Sequence, residues 1–476
     1  MPKKLNIAFV HPDLGIGGAE RLVVDAAISL QKRGHKVVIY TMHHDISHCF
    51  EETRDGTLDV RVGGNWLIPP SINGRFHILC TILRSLLLAR QIVSDRDQYD
   101  ALFVDQLSAP IPLLKFAHAH IFFYCHFPDK LQAQRQTLWR KLYRLPFDLL
   151  EEFTTGEADE IVVNSRFTQE TFRTAFPHLG KIPRVLTPAL NFQAYDAPVD
   201  KEDVSLGALR TEKAVVLSIN RFERKKDIQL AIDSFAICQK KLMAGKTHGG
   251  GVCLVVAGGW DSRVPENIEY LKELNAHARD RGLRVRTIAP QGVSREARSL
   301  LPDDTASAPT LLDEDDMRAD YLADIDVLFL PSFTENQRAY LLSSARCVVY
   351  TPTNEHLGIV PLEAMYMRIP VVAVNSGGPR ETVAHGKTGY LCEPTKDEFA
   401  RAILKVISMD DGARKAMGDA GHQRVEGAYG LDSFGAKLEG LMVGMFQYPT
   451  RPSAVLGVLL TLFIVLAATF TMLLTW

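Results

Sequence analysis

Short apolar runs rich in β-branched residues alternate with helical stretches along most of this chain, and this rhythm constrains its fold more than any other feature. It begins with an apolar run at 5–10, an amphipathic helical pattern at 19–33 and a second run at 37–41. Apolar runs separated by helices predict βαβ units, in which a parallel sheet is buried on both faces. We therefore expect an α/β protein. The further predicted strands are 101–104, 121–125, 160–164, 214–219, 252–257, 285–288, 327–330, 347–350 and 371–374.

The rhythm stops once and then restarts, which predicts two domains. A polar stretch at about 196–212 contains no apolar run of this kind and is predicted to be a linker. A length of 476 residues fits this division, because domains are typically about 100–200 residues long. We predict doubly wound, Rossmann-like domains at 1–195 and 213–446. Two such domains that face each other would bind a ligand in the cleft at the carboxyl ends of their strands.

Charge and cysteine content exclude several classes of protein. The 54 Lys and Arg residues nearly balance 56 Asp and Glu, whereas a nucleic-acid-binding protein usually needs an excess of cations. Nucleic acid is therefore not an expected partner. The seven cysteines are scattered without a CxxC pair, which excludes a zinc ribbon and a complete disulfide framework and fits a reducing compartment.

The C-terminal end of the sequence predicts a membrane anchor. No charged residue occurs from Ser453 to Trp476. A helix of this length would measure about 35 Å and could cross a bilayer core of about 30 Å. We predict a transmembrane tail anchor at 453–475, with a buried core helix as the alternative. Arg451 precedes the segment and no cation follows it, which favours a cytoplasmic position for the preceding domains.

The first strand is followed by a glycine-rich turn that includes Gly17 and Gly18. Glycines between a strand and a helix let backbone N–H groups approach a phosphate at the positive end of the helix. Glu20 stands where a dinucleotide-binding fingerprint has its third glycine, and no acidic residue ends the second strand, so NAD binding is disfavoured. A tight structural turn is the alternative.

Two cations follow the strand at 214–219. Arg221 and Lys226 lie in one loop and could converge on a diphosphate, since Arg supplies a planar fork and Lys a mobile point charge. A solvated basic loop is the alternative.

Residues 353–365 carry the most specific local signal. A strand runs into a loop that holds Glu355 and Gly358, and Pro361 suits the first turn of the following helix. Glu363 lies just inside that helix, eight residues after Glu355. Such a loop can offer backbone N–H donors to a diphosphate, while its two carboxylates accept hydrogen bonds from sugar or ribose hydroxyls.

Two acidic motifs raise the alternative of metal-dependent catalysis. Asp324 and Asp326 form a DxD pattern, and residues 313–316 form an acidic cluster. However, Asp326 enters a predicted strand whereas a metal-binding DxD lies at a strand exit, and the cluster is typical of a solvated helix start. Since Arg221, Lys226 and helix N-termini can neutralise a diphosphate, we expect no metal ligand and no cofactor.

Four motifs together resemble those of the retaining, GT-B-fold glycosyltransferases of family 4. They are the Gly17-Gly18-Ala-Glu turn, the Arg221 and Lys226 pair, the Glu355-x7-Glu363 motif and a Gly377-Gly378-x-x-Glu381 turn. The resemblance covers almost all of residues 5–445. Residues 124–129, 218–227 and 375–382 are most similar to the mannosyltransferases of the dolichol pathway.

This resemblance implies a GT-B fold and a mannosyltransferase activity. The donor would be GDP-mannose, and the acceptor a dolichol-diphosphate-linked Man-GlcNAc2 that receives an α-1,3 and then an α-1,6 mannose with retention. It also implies the endoplasmic reticulum membrane, catalytic domains on the cytosolic face, and membrane lipid and other glycosyltransferases of the pathway as partners. Another membrane-associated GT-B glycosyltransferase, a sugar-nucleotide epimerase and a non-catalytic nucleotide-sugar-binding protein are the alternatives.

The resemblance further implies roles for individual residues. Glu363 would bind the ribose, and Glu355 the sugar or the edge of the phosphate site. His126, directly after the strand at 121–125, would contact the transferred sugar, with a structural histidine as the alternative. The expected catalytic residues are Glu355, Lys226, Arg221 and His126. The expected donor-binding residues are Gly17, Gly18, Arg221, Lys226, Glu355, Leu357, Gly358, Ile359, Val360 and Glu363.

For two helical segments of the N-terminal half, the sequence does not determine whether they contact a membrane or the rest of the protein. Residues 76–93 are apolar over much of their circumference, and residues 130–144 mix basic and aromatic side chains. Each could contact a membrane surface or pack against its own domain. Burial against the sheet is favoured for 76–93.

Overall fold

The computed structural model of the chain describes residues 4–72, 75–132, 138–245, 251–303, 305–306 and 321–450. By its internal contacts the chain divides into two compact units. Among the described residues, the first unit comprises 4–189 and 431–450, and the second comprises those within Leu190–Gly430. The predicted tail anchor at 453–475 and the acidic cluster at 313–316 lie outside the described residues.

The first unit is built on a parallel sheet, seven-stranded over the residues described. Its strands are β1 (Asn6–Asp13), β2 (Lys36–His43), β3 (Asp59–Val62), β4 (Ala101–Asp105), β5 (His120–Cys125), β6 (Glu160–Val163) and β7 (Arg184–Val185). Their order across the sheet is β3-β2-β1-β4-β5-β6-β7. From β1 to β3 each new strand is added on one side of the sheet, and from β4 to β7 on the other side. The position between β1 and β4 is therefore a topological switch point, and doubly wound folds bind ligands beside such points.

Helices cover both faces of this sheet. Between and after the strands lie α1 (Gly18–Lys32), α2 (His77–Ser94), α3 (Ile111–Leu114), α4 (Asp129–Gln132), α5 (Leu138–Gly156) and α6 (Arg166–Ala175). Ile7 and Phe9 of β1 belong to the apolar core that contains α1, whereas the alternate residues Ala8 and Val10 belong to the core that contains α2. Alternate side chains point to opposite faces of a strand, so a run apolar throughout is what burial on both faces requires.

The second unit contains a parallel sheet with eight strands among its described residues. They are β8 (Ala214–Ile219), β9 (Val252–Gly258), β10 (Val285–Ile288), β11 (Thr305–Ala306), β12 (Val327–Pro331), β13 (Cys347–Tyr350), β14 (Val371–Val374) and β15 (Gly389–Cys392). The order is β11-β10-β12-β9-β8-β13-β14-β15. The prediction of two α/β units with parallel sheets is thus confirmed, and every predicted strand is present within a few residues of its expected bounds.

Helices also cover both faces of the second sheet. Val216 of β8 packs in the core that contains Phe235 and Phe399, while Val215 packs in the opposite core with Leu362. The helices of this unit are α7 (Gln193–Asp196), α8 (Ile228–Gly245), α9 (Pro265–Asp280), α10 (Arg295–Arg298), α11 (Glu335–Ser344), α12 (Ile359–Tyr366), α13 (Pro379–Thr382), α14 (Lys396–Ile407) and α15 (Asp411–Tyr429).

The stretch at 196–212 is not the element-free linker that its polarity predicts. It contains a 3₁₀ helix, Val204–Leu209, and belongs to the second unit. Leu206, Ala208 and Leu209 are buried in one of the two cores of that unit. This apolar run alternates with Ser and Gly and is too short for a recognisable strand or helix period, which is why composition alone suggested a linker.

The last described helix, α16 (Leu431–Met445), belongs to the first unit, although the sequence placed it in a domain at 213–446. Phe434, Leu438 and Met442 are buried in the core that contains α1. Glu439 of α16 lies 3.0 Å from the His35 ring, and Arg33 donates to the Asp432 carbonyl at 2.8 Å. Helix α16 thus completes the core of the unit that contains the N-terminal strands. A hydrophobic pattern along the sequence does not predict such a long-range contact.

One described helix, α2, is long and apolar enough to cross a membrane by length and composition alone. Leu79 and Ile82 pack against Phe147 and Leu150 of α5. Leu88, Ala89 and Ile92 belong to the core on one face of the sheet. These contacts support the favoured interpretation of residues 76–93 as a helix packed on its own unit.

We expect Leu438→Ala to lower the free energy of unfolding by about 2–5 kcal/mol, because it deletes a fully buried side chain and leaves a cavity. Urea unfolding of the detergent-solubilised protein measures this change. Val443→Ala on the same helix is the matched control, since Val443 is 37% exposed and its truncation should change stability by about 0.5 kcal/mol or less. Equal effects of the two variants would contradict the assignment of α16 to this core.

Candidate active site

The loop after β8 is held close to the end of β9 by glycine. A Cβ atom on Gly258 would lie 1.8 Å from the Asn220 carbonyl oxygen, so only glycine permits this approach. The Phe222 N–H donates to the Gly259 carbonyl at 3.1 Å, and the Phe222 side chain is fully buried. The loop that carries Arg221 and Lys226 is therefore fixed at its start by packing and by backbone hydrogen bonds.

Lys226 is paired with Glu355, a residue of a different loop. Lys226 Nζ lies 2.5 Å from Glu355 Oε1, and the two side chains are 11% and 25% exposed. The Thr351 hydroxyl donates to the Lys226 carbonyl at 2.8 Å and ties the two loops together. Two residues that the sequence singled out separately thus meet at the carboxyl ends of the neighbouring strands β8 and β13.

Arg221 is placed differently. Its Nη1 atom lies 2.8 Å from Glu223 Oε1 within the same loop, and its side chain is 62% exposed. The guanidinium is therefore accessible to an anionic ligand while a carboxylate holds it near the strand end. The structure does not join Arg221 directly to Lys226 but leaves both cations on one short loop.

The turn at Gly377 and Gly378 supports the Glu355 loop. Gly377 has a φ of +60°, and a Cβ atom there would lie 2.4 Å from the Glu355 carbonyl oxygen. The Gly378 N–H donates to that same carbonyl at 2.8 Å, and a Cβ on Gly378 would lie 2.2 Å from the Leu357 carbonyl oxygen. These glycines let one loop lie directly on the other, which fixes the backbone that presents Glu355.

The N-terminus of α12 follows this loop directly. Gly358 caps the helix with a φ of +77°, and Ile359 and Val360 are its first residues. The first N–H groups of a helix have no partner within it and carry the positive end of the helix dipole. Leu357 is buried and Ile359 is 44% exposed, so the loop is anchored while the helix start remains accessible. A helix N-terminus, which can bind an anion, therefore lies three residues from Glu355.

Glu363 is buried inside α12 and pairs with Arg338 of α11, a residue that sequence reasoning did not identify. Arg338 also donates from Nη2 to the Tyr195 hydroxyl at 2.7 Å. Burial and the Glu363 charge raise the pKa of Tyr195. Glu363 Oε1 is engaged by Arg338, whereas Oε2 makes no hydrogen bond within the described part of the chain. One carboxylate oxygen is thus held by Arg338, and the other is buried close to the Tyr195 hydroxyl.

His126 lies in the first unit, in a cluster of ionisable side chains at the carboxyl end of its sheet. Its Nε2 atom is 2.7 Å from Oδ1 of Asp105, the last residue of β4. His11 of β1 donates from Nδ1 to Asp105 Oδ2 at 2.8 Å, and its Nε2 atom is 3.7 Å from Glu20 Oε1. Asp105 and His11 are fully buried as side chains. The sequence predicted His126 but not Asp105 or His11, because nothing in the local pattern shows that β1, β4 and β5 are neighbours.

Electrostatics in this cluster favour the charged forms. Burial alone would favour the neutral form of His11, but its hydrogen bond to Asp105 and its contact with Glu20 outweigh burial and raise its pKa to about 9. Burial likewise opposes the charge of Asp105, but the two histidines lower its pKa. The cluster therefore holds a buried carboxylate that a protonated imidazole compensates.

Gly17 and Gly18 lie at the start of α1, in the first unit, whereas the other predicted donor-binding residues lie in the second. Gly17 has an extended φ of −172°, and a Cβ atom there would lie 2.2 Å from Glu20 Oε2. Gly17 thus makes room for the Glu20 carboxylate at the positive end of α1.

The DxD pattern is engaged in ion pairs. Asp326 is buried, and its two oxygens accept bonds from Gln239 at 2.6 Å and from Arg284 at 2.9 and 3.0 Å. Asp324 is exposed and lies 3.7 Å from Arg284. Over the residues described, no group of three or more His, Cys, Asp or Glu side chains is arranged to hold a metal ion.

Two family models match this chain, one in each half of the sequence. Residues 16–185 match the family described as Glycosyltransferase Family 4, and residues 313–424 match Glycosyl transferases group 1. The fold is also that of a sucrose-phosphate synthase from Thermosynechococcus elongatus, with a TM-score of 0.66 at 17% identity over 93% of this chain and 100% of that one.

Two curated relatives are similar over nearly their whole length. The alpha-1,3/1,6-mannosyltransferase ALG2 of Rhizomucor pusillus is 50% identical over 93% of this chain and 92% of its own length. The human alpha-1,3/1,6-mannosyltransferase ALG2 is 41% identical over 91% of this chain and 95% of its own length. The chain therefore belongs to the α-1,3/1,6-mannosyltransferase family of GT-B glycosyltransferases.

Proposed function

We propose that this protein transfers mannose from GDP-mannose to dolichol-diphosphate-linked Man-GlcNAc2, making the α-1,3 and then the α-1,6 linkage with retention. The observation that carries the proposal is the Lys226–Glu355 pair beside the N-terminus of α12, in a chain whose relatives are named α-1,3/1,6-mannosyltransferases. A cation, a carboxylate and free backbone N–H groups are what a nucleotide-diphosphate sugar needs at its phosphates and hydroxyls.

The donor diphosphate is assigned to Lys226, Arg221 and the backbone N–H groups from Gly358 to Val360. Preorganised positive charge stabilises the negative charge that develops on the leaving diphosphate as the glycosidic bond breaks. Glu363 is assigned to the ribose, where its unengaged Oε2 would accept a hydroxyl hydrogen bond. Glu355 is assigned to the mannose, and Leu357 anchors the loop that carries it.

Retention in a single displacement, without a covalent glycosyl-enzyme intermediate, requires that the acceptor arrives on the face from which the diphosphate leaves. The bond between mannose C1 and the diphosphate oxygen breaks, a bond between C1 and the acceptor oxygen forms, and the acceptor proton passes to the leaving phosphate. This front-face course differs from the paired-carboxylate mechanism of retaining glycosidases. His126 is assigned to contact with the transferred mannose.

No divalent cation is included in this mechanism. Lys226, Arg221 and the positive end of α12 supply the charge that a metal ion would otherwise provide. Asp326 supports this proposal, because Arg284 and Gln239 already engage both of its oxygens. Unchanged turnover after treatment with a chelator is the expected result.

The proposed site of action is the cytosolic face of the endoplasmic reticulum membrane. It is supported by the uncharged sequence at 453–475, by Arg451 before it and by the lipid-linked acceptor. Membrane lipid and other glycosyltransferases of the same pathway are the proposed partners, and nucleic acid is not.

A chain truncated after Tyr448 should fold, leave the membrane fraction and still transfer mannose to a short-lipid acceptor. The truncation retains all of α16 and removes the proposed anchor together with residues 449–452, which precede it. Membrane flotation measures partitioning, and size-exclusion chromatography checks folding. Truncated protein that still floats with vesicles would contradict the anchor, and aggregated protein would favour a core role for the segment.

One assay tests the activity against its alternatives. Purified protein is incubated with GDP-mannose and a lipid-linked chitobiose that carries one mannose, and the products are analysed by mass spectrometry. Successive gains of one and two hexoses support the proposal. Conversion of the donor without acceptor, followed by chromatography because epimers have equal mass, would indicate an epimerase. Absence of any mass gain or donor conversion with several sugar nucleotides would indicate a non-catalytic protein.

A further inference from the structure

A buried chain of ionisable groups reaches from the start of α1 to His126 in the first unit. Asp105 lies at its centre, with one carboxylate oxygen 2.8 Å from His11 Nδ1 and the other 2.7 Å from His126 Nε2. The Asp105 and His11 side chains are fully buried, whereas that of His126 is 23% exposed. Of the two residues that contact Asp105, His126 is therefore the one that is partly exposed, and it is the one proposed to meet the sugar.

The charges of this cluster are interdependent. An isolated buried carboxylate is strongly unfavourable, so Asp105 stays ionised at this place only with a cation beside it. His11 is in direct contact with Asp105, as is His126, and Glu20 stabilises the positive charge of His11 from the other side of its ring. Loss of the proton from His11 would leave two carboxylates close to a neutral imidazole.

We infer that His11 and Asp105 are positioning residues that fix the ring of His126 for its contact with the transferred mannose. This inference rests on the proposed function. Asp105 lies 2.7 Å from the Nε2 atom of the ring, so Nδ1 is the polar ring atom that Asp105 does not contact. The Asn164 side chain donates to the His126 carbonyl at 3.1 Å, so the backbone is fixed as well.

A pH dependence follows from this arrangement. The titratable groups that face His11 are Asp105 and Glu20, and beyond Asp105 lie His126 and Tyr124. Because the pKa of His11 is raised to about 9, its cation is present at neutral pH and is lost as the pH rises through about 9. The kcat/KM profile should therefore fall on an alkaline limb near that pH.

Glu20→Gln tests the inference in the full-length protein. It removes a carboxylate that raises the pKa of His11, so the alkaline limb of kcat/KM should move to lower pH. Glu52→Gln is the matched control: Glu52 pairs with Arg21 at 3.0 Å rather than with His11, and its replacement should leave the limb unchanged. Glu20 is half-buried, so this variant is expected to fold.

His11→Gln provides the second readout. It should lower kcat/KM at neutral pH by at least about tenfold and abolish the alkaline limb, while KM for GDP-mannose stays near wild type. A merely structural role would not remove a limb of the pH profile. The inference would be overturned if kcat/KM of the wild-type enzyme showed no alkaline limb, or if Glu20→Gln left the pH of that limb unchanged.

His126→Gln separates this inference from the proposed function. A large loss of kcat/KM is expected if His126 contacts the sugar. Wild-type activity of His126→Gln would refute that role and with it the positioning of His126. Wild-type activity of Glu20→Gln and His11→Gln at every pH, with His126→Gln inactive, would refute the inference alone.

Discussion

Lys226→Ala is expected to lower kcat by at least about tenfold, because it removes a charge whose interaction with the leaving diphosphate is strongest in the transition state. The lysine is held for this role: its ammonium is 2.5 Å from Glu355, and its carbonyl accepts a hydrogen bond from Thr351. Initial rates at saturating GDP-mannose and acceptor measure the effect, with urea unfolding to verify that the fold is intact.

Lys225→Ala is the matched control. Lys225 is the preceding residue of the same loop, 63% exposed, and lies 3.1 Å from Glu223. Its removal changes the net charge of the loop by the same amount but takes no cation from Glu355. Equal losses of kcat in the two variants would indicate a diffuse electrostatic effect. Wild-type kcat in Lys226→Ala would indicate that Lys226 belongs to a solvated basic loop without a role in transfer.

The central strands of both sheets could be predicted from the sequence for a physical reason. Strands buried on both faces are apolar at most positions, and β1, β8 and β13 therefore stand out from the helices around them. The loops that follow such strands lie at the carboxyl edge of a parallel sheet, which is why Lys226 and Glu355 could be proposed before their contact was known.

The edge strands could not be predicted in the same way. β3, β7, β11 and β15 lie at the outer edges of the two sheets, and none of them was expected from the sequence. β3 is partly exposed along its length, and β7 and β11 contain two residues each. Edge strands bury less surface and need fewer apolar residues, so their sequences resemble those of loops.

The residues that pair with the buried carboxylates could not be predicted from the sequence pattern either. Glu363 pairs with Arg338 of another helix, and Asp105 pairs with His11, which lies 94 residues away along the chain. Such pairs depend on which helices cover the same face and which strands are adjacent. The Glu355 motif predicted candidate side chains for a chemical role, but the order of the strands determines which residues pair with them.

The sequence contains one Lys226 loop and one Glu355-x7-Glu363 motif, yet the proposed activity makes two different linkages. Both mannoses must then leave from one donor site. The 3-hydroxyl and the 6-hydroxyl that accept them belong to the same sugar ring, so the acceptor can bind twice in different orientations. Residues that act on the donor should consequently affect both transfers, whatever the orientation of the acceptor.

Glu355→Ala is therefore expected to lower the rates of the α-1,3 and α-1,6 transfers together, each by at least about tenfold. The variant removes the assigned mannose contact and leaves the Lys226 cation without its carboxylate. Each transfer is measured separately on its own purified acceptor, with one or two mannoses already attached. Glu393→Ala is the control, because Glu393 also follows a strand of this sheet but accepts a bond from Asn375 at 2.9 Å. One linkage formed at the wild-type rate while the other disappears would require a second donor site and would refute the single-site mechanism.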